Sequence, residues 1–156
     1  MAYSFSAGDM LTVVITENGD IDWNWGKADK EKLPPNQEHA ERFVRNLNFW
    51  RVGKGKKYLH TGRMVKPIAV ECEQYDIPRK KFGSAVVPRV HTSAWLANDG
   101  AWAQFLLNYA DVEKTCSIML DGAGYVLHDK DSYKPLKSGL NVITVPAFSA
   151  LMIEKA

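Results

Sequence analysis

Cysteine is scarce: Cys72 and Cys116 are the only two in 156 residues. Two thiols cannot build a disulfide framework, and their separation matches no zinc-ligand spacing. Charge of one sign is also lacking, since 20 Lys and Arg against 18 Asp and Glu leave a net +2. That is too little to hold a phosphate backbone, so no nucleic-acid partner is expected. No apolar run reaches the ~20 residues that cross a bilayer, so no membrane partner is expected either. The opening Met1-Ala2-Tyr3-Ser4-Phe5 has neither the charged start nor the long apolar centre of a secretion signal.

Catalytic signatures are missing as well. There is no Gly-x-Ser-x-Gly elbow, and Gly122-Ala123-Gly124 joins two expected strands with no helix or Lys-Ser/Thr behind it, so it reads as a turn. His39, His60, His91 and His128 stand singly rather than at metal-binding spacing, and each reads as a surface or packing histidine. No metal or other cofactor is expected.

What is present is the composition of an ordinary globular chain, 46% hydrophobic and 24% charged, long enough for one well-buried core. Between Val87 and Glu154, short alternating segments are punctuated by turn chemistry. Two strand-like runs flank Asn98-Asp99-Gly100, whose residues tolerate the positive φ that short hairpins need. Ile68 to Tyr75 alternates as a half-exposed strand that Pro78 closes, Arg79 to Gly83 reads as a loop, and Val86 to Ala97 reads as one strand of the hairpin. Thr115 to Leu120, Tyr125 to His128, Leu140 to Val145 and Phe148 to Glu154 follow. Cys72 and Cys116 fall on the apolar phase of their segments, which favours buried free thiols over a single bridge between strands.

The first sixty residues differ. Met10 to Thr16 reads as a strand ended by the turn Glu17-Asn18-Gly19-Asp20, and Ile21 to Gly26 either pairs back or loops. From Asn36, a capping residue, Ala40, Phe43, Val44, Leu47 and Trp50 recur at helical spacing to Arg51. The basic stretch from Arg51 to Lys57 reads as a solvated helix end, with Tyr58-Leu59 docking as a last turn. The fold class expected is mainly β: an antiparallel β-sandwich of about seven to eight strands with an N-terminal strand or hairpin and one amphipathic helix. Residues 1–62 form the N-terminal strand, turn and helix, and 63–156 the sandwich.

Acid/base chemistry on sugars needs two carboxylates flanking one bond. Asp99 and Asp121 are accounted for as turn residues, whereas Asp20 and Asp22 neighbour Trp23 and Trp25, and an indole face beside a carboxylate suits a sugar's apolar face and hydroxyls. The competing reading is a hairpin tip packing two indoles on the adjoining helix. Trp95 and Trp102 lie inside strands and read as structural.

The order of segments then resembles a known arrangement. A strand and turn, the helix ending Phe43-Val44-Arg45-Asn46-Leu47-Asn48-Phe49-Trp50-Arg51, and Tyr58-Leu59-His60-Thr61-Gly62-Arg63-Met64-Val65-Lys66-Pro67 resemble the end of a glycoside-hydrolase (β/α) barrel. Trp95 to Gly100, Phe105 to Tyr109, Gly139 to Pro146 and Phe148 to Glu154 resemble the C-terminal β-sandwich of enzymes of the α-galactosidase-like type. The resemblance implies a non-catalytic C-terminal accessory domain whose partner is the catalytic barrel of the same polypeptide, with the acid and nucleophile on barrel strands outside this chain. No catalytic residue carries over. The alternative is an independent carbohydrate-binding module that takes an oligosaccharide on Asp20, Asp22, Trp23 and Trp25.

Overall fold

Alternating apolar residues dictate strands that bury one face, and here they pair throughout as antiparallel ladders. The computed structural model describes residues 2–8, 14–15, 21–22, 37–79 and 83–155. In chain order the elements are α1 (Ala2–Ser6), β1 (Val14–Ile15), β2 (Ile21–Asp22), α2 (Gln37–Val52), α3 (Lys56–Leu59), β3 (Arg63–Val65), β4 (Val70–Cys72), β5 (Gln74–Arg79), β6 (Gly83–Pro88), β7 (Val90–Leu96), β8 (Trp102–Asn108), β9 (Lys114–Leu120), β10 (Tyr125–His128), β11 (Tyr133–Pro135), β12 (Gly139–Val145) and β13 (Ser149–Lys155). A six-stranded sheet, in the order β11-β10-β13-β8-β7-β3, faces a three-stranded sheet, β12-β9-β4. The fold is mostly β and sandwich-like, as the alternation predicts.

The six-stranded sheet is covered on both faces. Toward the small sheet, Leu106, Leu151 and Ile153 pack with Cys116, Ile118, Leu120, Ile143 and Val145. On its other face, Phe105, Leu107, Ala150 and Met152 pack with Phe5, Phe43, Leu47, Trp50, Tyr58 and Leu59 from the three helices. This explains why β8 and β13 read as nearly continuous apolar runs: each side chain meets a covering layer, whichever way it points.

Helix α2 buries Phe43, Val44, Leu47 and Trp50, the stripe that its three- and four-residue spacing predicts. Burial of a large side chain of this kind stabilises by about 1.5–3 kcal/mol relative to exposure. Polar groups fix the helix's seat. The Trp50 indole N–H donates to the Ala150 carbonyl at 2.9 Å, and the Asn46 amide donates to the Phe148 carbonyl at 2.6 Å. Phe148 itself stands at φ 48°, a left-handed conformation held further by its N–H bond to the Ala110 carbonyl.

Several expected boundaries shift. The alternating run from Ile68 to Tyr75 serves two sheets, β4 pairing with β9 and β5 pairing with β6. Pro78 does not close β5, which continues to Arg79 on a two-stranded hairpin where a missing N–H is tolerated. The run from Val86 to Ala97 likewise breaks at Arg89, whose N–H donates to the Glu73 carbonyl at 2.8 Å. The basic stretch is not simply a solvated end either. Arg51 is buried and donates to the Gly8 carbonyl at 2.8 Å. Both cysteines are free thiols. Near the N-terminus, β1 pairs with β2, so Ile21 and Asp22 do turn back, while the turn between them and the proposed cap Asn36 lie outside the described residues.

Candidate functional site

The β7–β8 hairpin is where local sequence most directly builds a site. Gly100 adopts φ +85°, the Ala97 N–H donates to the Ala101 carbonyl at 2.8 Å, and the Asp99 carboxylate accepts the Ala101 N–H at 2.9 Å. Asp99 is thereby aimed along the sheet end, where α3 and the last residues of β13 also arrive. Together, Lys57, Asp99, Trp102, Glu154 and Lys155 line an open cleft of about 610 Å³.

Glu154 is its most connected group. It lies on the helix-covered face of β13, where strand parity brings His128 of the paired β10 to the same side. Its carboxylate accepts the Tyr58 hydroxyl at 2.5 Å and faces the Lys57 ammonium at 3.6 Å and His128 Nε2 at 3.1 Å. The His128 contact is an ion contact off the ring N–H axis rather than an aligned hydrogen bond. On the ring's other side, Lys54 Nζ stands 3.2 Å from Nδ1. An ammonium can only donate, so Nδ1 is the acceptor and the neutral ring carries its proton on Nε2, toward Glu154. Lys57 also reaches Asp99 at 3.3 Å, so one cation serves both cleft carboxylates.

The electrostatics follow from these contacts. Burial is the largest influence on Glu154 and works upward, but the Tyr58 hydrogen bond, Lys57 and His128 together outweigh it and hold the carboxyl below its ordinary value. Asp99 is held low by the Ala101 N–H and then by Lys57. Burial, and then the bond to Glu154, push the Tyr58 hydroxyl far up. His128 moves down, chiefly through burial and then the neighbouring Lys54. At neutral pH the cleft therefore presents two carboxylates beside lysine side chains, with the buried His128 ring packed behind Glu154. This is a fixed array of hydrogen-bonding charges.

Half-buried Trp102 borders the cleft while packing into the inter-sheet core, its ring edge-to-face with Tyr125 at 6.0 Å. Trp95 is buried, as expected of a structural indole. Asp20, Trp23 and Trp25 lie outside the described residues; Asp22 stands opposite Val14 in β2, with its side chain also outside them. Sequence reasoning missed Glu154, Tyr58 and His128. Their chain positions, 58, 128 and 154, carry no spacing motif, and only the pairing of β10 with β13 and the seat of α3 unite them. Among the described residues, no group of three His, Cys, Asp or Glu side chains is arranged to hold a metal ion, and no helix is long and apolar enough to cross a membrane.

No protein-family model matches the chain, and no curated protein matches it. Among solved structures it is similar to the β-galactosidase from Bacillus circulans sp. alkalophilus, at 19% identity over 78% of this chain and with a TM-score of 0.34. The chain spans about 13% of that protein's length. A likeness of this size assigns neither site nor function.

Proposed function

We propose that this chain is a non-catalytic accessory β-domain of a carbohydrate-active enzyme, capping or stabilising a catalytic (β/α) barrel of the same polypeptide. The observation that carries the reading is the sharing of Lys57 by Asp99 and Glu154, with both carboxyls held low. Such a cleft offers fixed charges and hydrogen-bond acceptors to a neighbouring surface. The outer face of the three-stranded sheet adds support. Met119 and Leu140 are cross-strand partners there, and with Val142 they remain 54–66% exposed, an apolar area of the kind that a neighbouring domain covers.

The test is an assay of the purified chain against a panel of aryl glycosides. No turnover is expected, and hydrolysis that disappears in Glu154→Gln would overturn the proposal. Sedimentation supplies a second arm. The isolated chain should self-associate through the uncovered face, and Met119→Lys with Val142→Lys should render it monomeric.

The position of Trp102 beside two carboxylates favours a second reading, an independent carbohydrate-binding module. Calorimetric titration with oligosaccharides separates the two. Saturable binding lost in Trp102→Ala would place a sugar site in the cleft, binding lost in Trp23→Ala would place it on the N-terminal indoles, and absence of heat favours the cap.

A further inference from the structure

Cys72 and Cys116 are directly opposed in the antiparallel pairing of β4 with β9. Opposed residues in such a ladder share a face and have Cα atoms about 4.5–5.5 Å apart. That falls within the roughly 4.4–6.8 Å over which a disulfide closes without moving the backbone. Both thiols turn into the inter-sheet core, Cys116 buried and Cys72 half-buried. The Cys72 thiol is within 3.8 Å of the Val90 carbonyl on the facing layer. Burial, and then the nearby Cys72 sulfur, push the Cys116 thiol up to about 11. The two residues thus differ in burial while sharing one location: Cys72, the less buried of the pair, is the one placed to meet a solute first.

The location also has leverage. β4 is a three-residue edge strand whose neighbour in the sheet is β9. It leads through Glu73 into the β5–β6 hairpin. Glu73 is gripped by Lys114 at 2.6 Å, and its carbonyl accepts the Arg89 N–H at 2.8 Å. A covalent tie between β4 and β9 would fasten this hairpin's root to the middle strand of the small sheet.

We propose that Cys72 and Cys116 are a reversible oxidation site that closes to an intrachain disulfide on contact with a low-molecular-weight disulfide such as oxidised glutathione. The Cys72 thiolate attacks one sulfur of the oxidant, forming a mixed disulfide and releasing one glutathione thiolate. Cys116 loses its proton and attacks the Cys72 sulfur, displacing the second. Two protein thiols give up two electrons and two protons, and the oxidant leaves as two thiols.

The test is to incubate reduced protein with oxidised glutathione, then to measure intact mass and map peptides. The expected product has lost two hydrogens, links the peptides holding Cys72 and Cys116, shows no free thiol in denaturant, and is restored by dithiothreitol. Its Tm should exceed that of the reduced form by about 5–10 °C. Cys116→Ser should stop with one glutathione on Cys72, and Cys72→Ser should leave the buried thiol unmodified in folded protein. Persistence of both wild-type thiols, stable glutathione on wild-type Cys72, or links only between chains would overturn the proposal. The wild-type peptide map decides the matter even where a variant fails to fold.

Discussion

Replacing Asn108 should cost more stability than replacing most other polar side chains in the chain. It is fully buried at the end of β8. Its Nδ2 donates to the carbonyls of Val112 at 2.8 Å, Val145 at 3.0 Å and Pro146 at 3.1 Å, while its Oδ1 accepts the Ala110 N–H at 2.9 Å. One amide therefore ties the loop after β8 to the end of β12. Asn108→Asp keeps the shape and the acceptor but removes the donor, leaving carbonyl oxygens unpaired against a carboxyl. At about 1 kcal/mol or more for each buried bond lost, the expected cost near neutral pH is about 3–4 kcal/mol, or a Tm lower by about 8–15 °C.

The sign of the pH dependence provides a sharper check. The carboxylate introduced by Asn108→Asp would, when ionised, face carbonyl dipoles of its own sign, so its folded-state pKa rises above the unfolded value of about 3.9. The deficit relative to wild type is smallest below that value and grows as pH rises toward the raised folded pKa. Urea denaturation of both proteins from about pH 3.5 to about pH 8, at matched m-values, measures the difference. A difference below about 1 kcal/mol that is also flat with pH would refute the reasoning.

The cleft has its own titration. Because Glu154 is held low in the folded state, its stabilisation is present above the unfolded pKa of about 4.3 and is lost as pH falls through the folded value. Tm measured against pH should therefore fall less steeply in acid for Glu154→Gln than for wild type. For His128, also lowered, the unfolded chain binds its proton first, so stability declines as pH drops below about 6.5, and the imidazole NMR midpoint should lie under that value. Trp50→Phe loses the bond to Ala150 and leaves a gap in the helix-side core, for an expected cost of about 2–3 kcal/mol by chemical denaturation. Gly8→Ala places a Cβ 2.6 Å from the Trp95 ring at φ +80°, and a Tm drop of several degrees, about 1–2 kcal/mol, is expected.

The fold class was legible in the residues because a β-strand writes its buried face as period-two alternation and its turns as Asn, Asp and Gly. The β9 and β12 segments and the Asn98-Asp99-Gly100 turn lie close to where that alternation puts them. The stripe from Phe43 to Trp50 likewise specified an apolar helix face. It could not specify what that face would meet, and the answer, β13 of the same chain, depends on contacts across about 100 residues of sequence.

Long-range pairing decided the rest. Ile68 to Tyr75 has one alternation but two partners, because Glu73 is where the chain leaves β9's ladder and enters its own hairpin. Gln104 shows the same limit: a polar residue in an apolar strand, it is fully buried because it bonds the Ile68 backbone and Thr92. The cleft is the extreme case. Local sequence determined the Asp99 turn, since its chemistry is contained between Ala97 and Ala101. Glu154 and His128 met each other and the adjacent Lys57 and Tyr58 only through strand register and helix docking, and electrostatic coupling depends on distance in space, which a linear pattern does not carry.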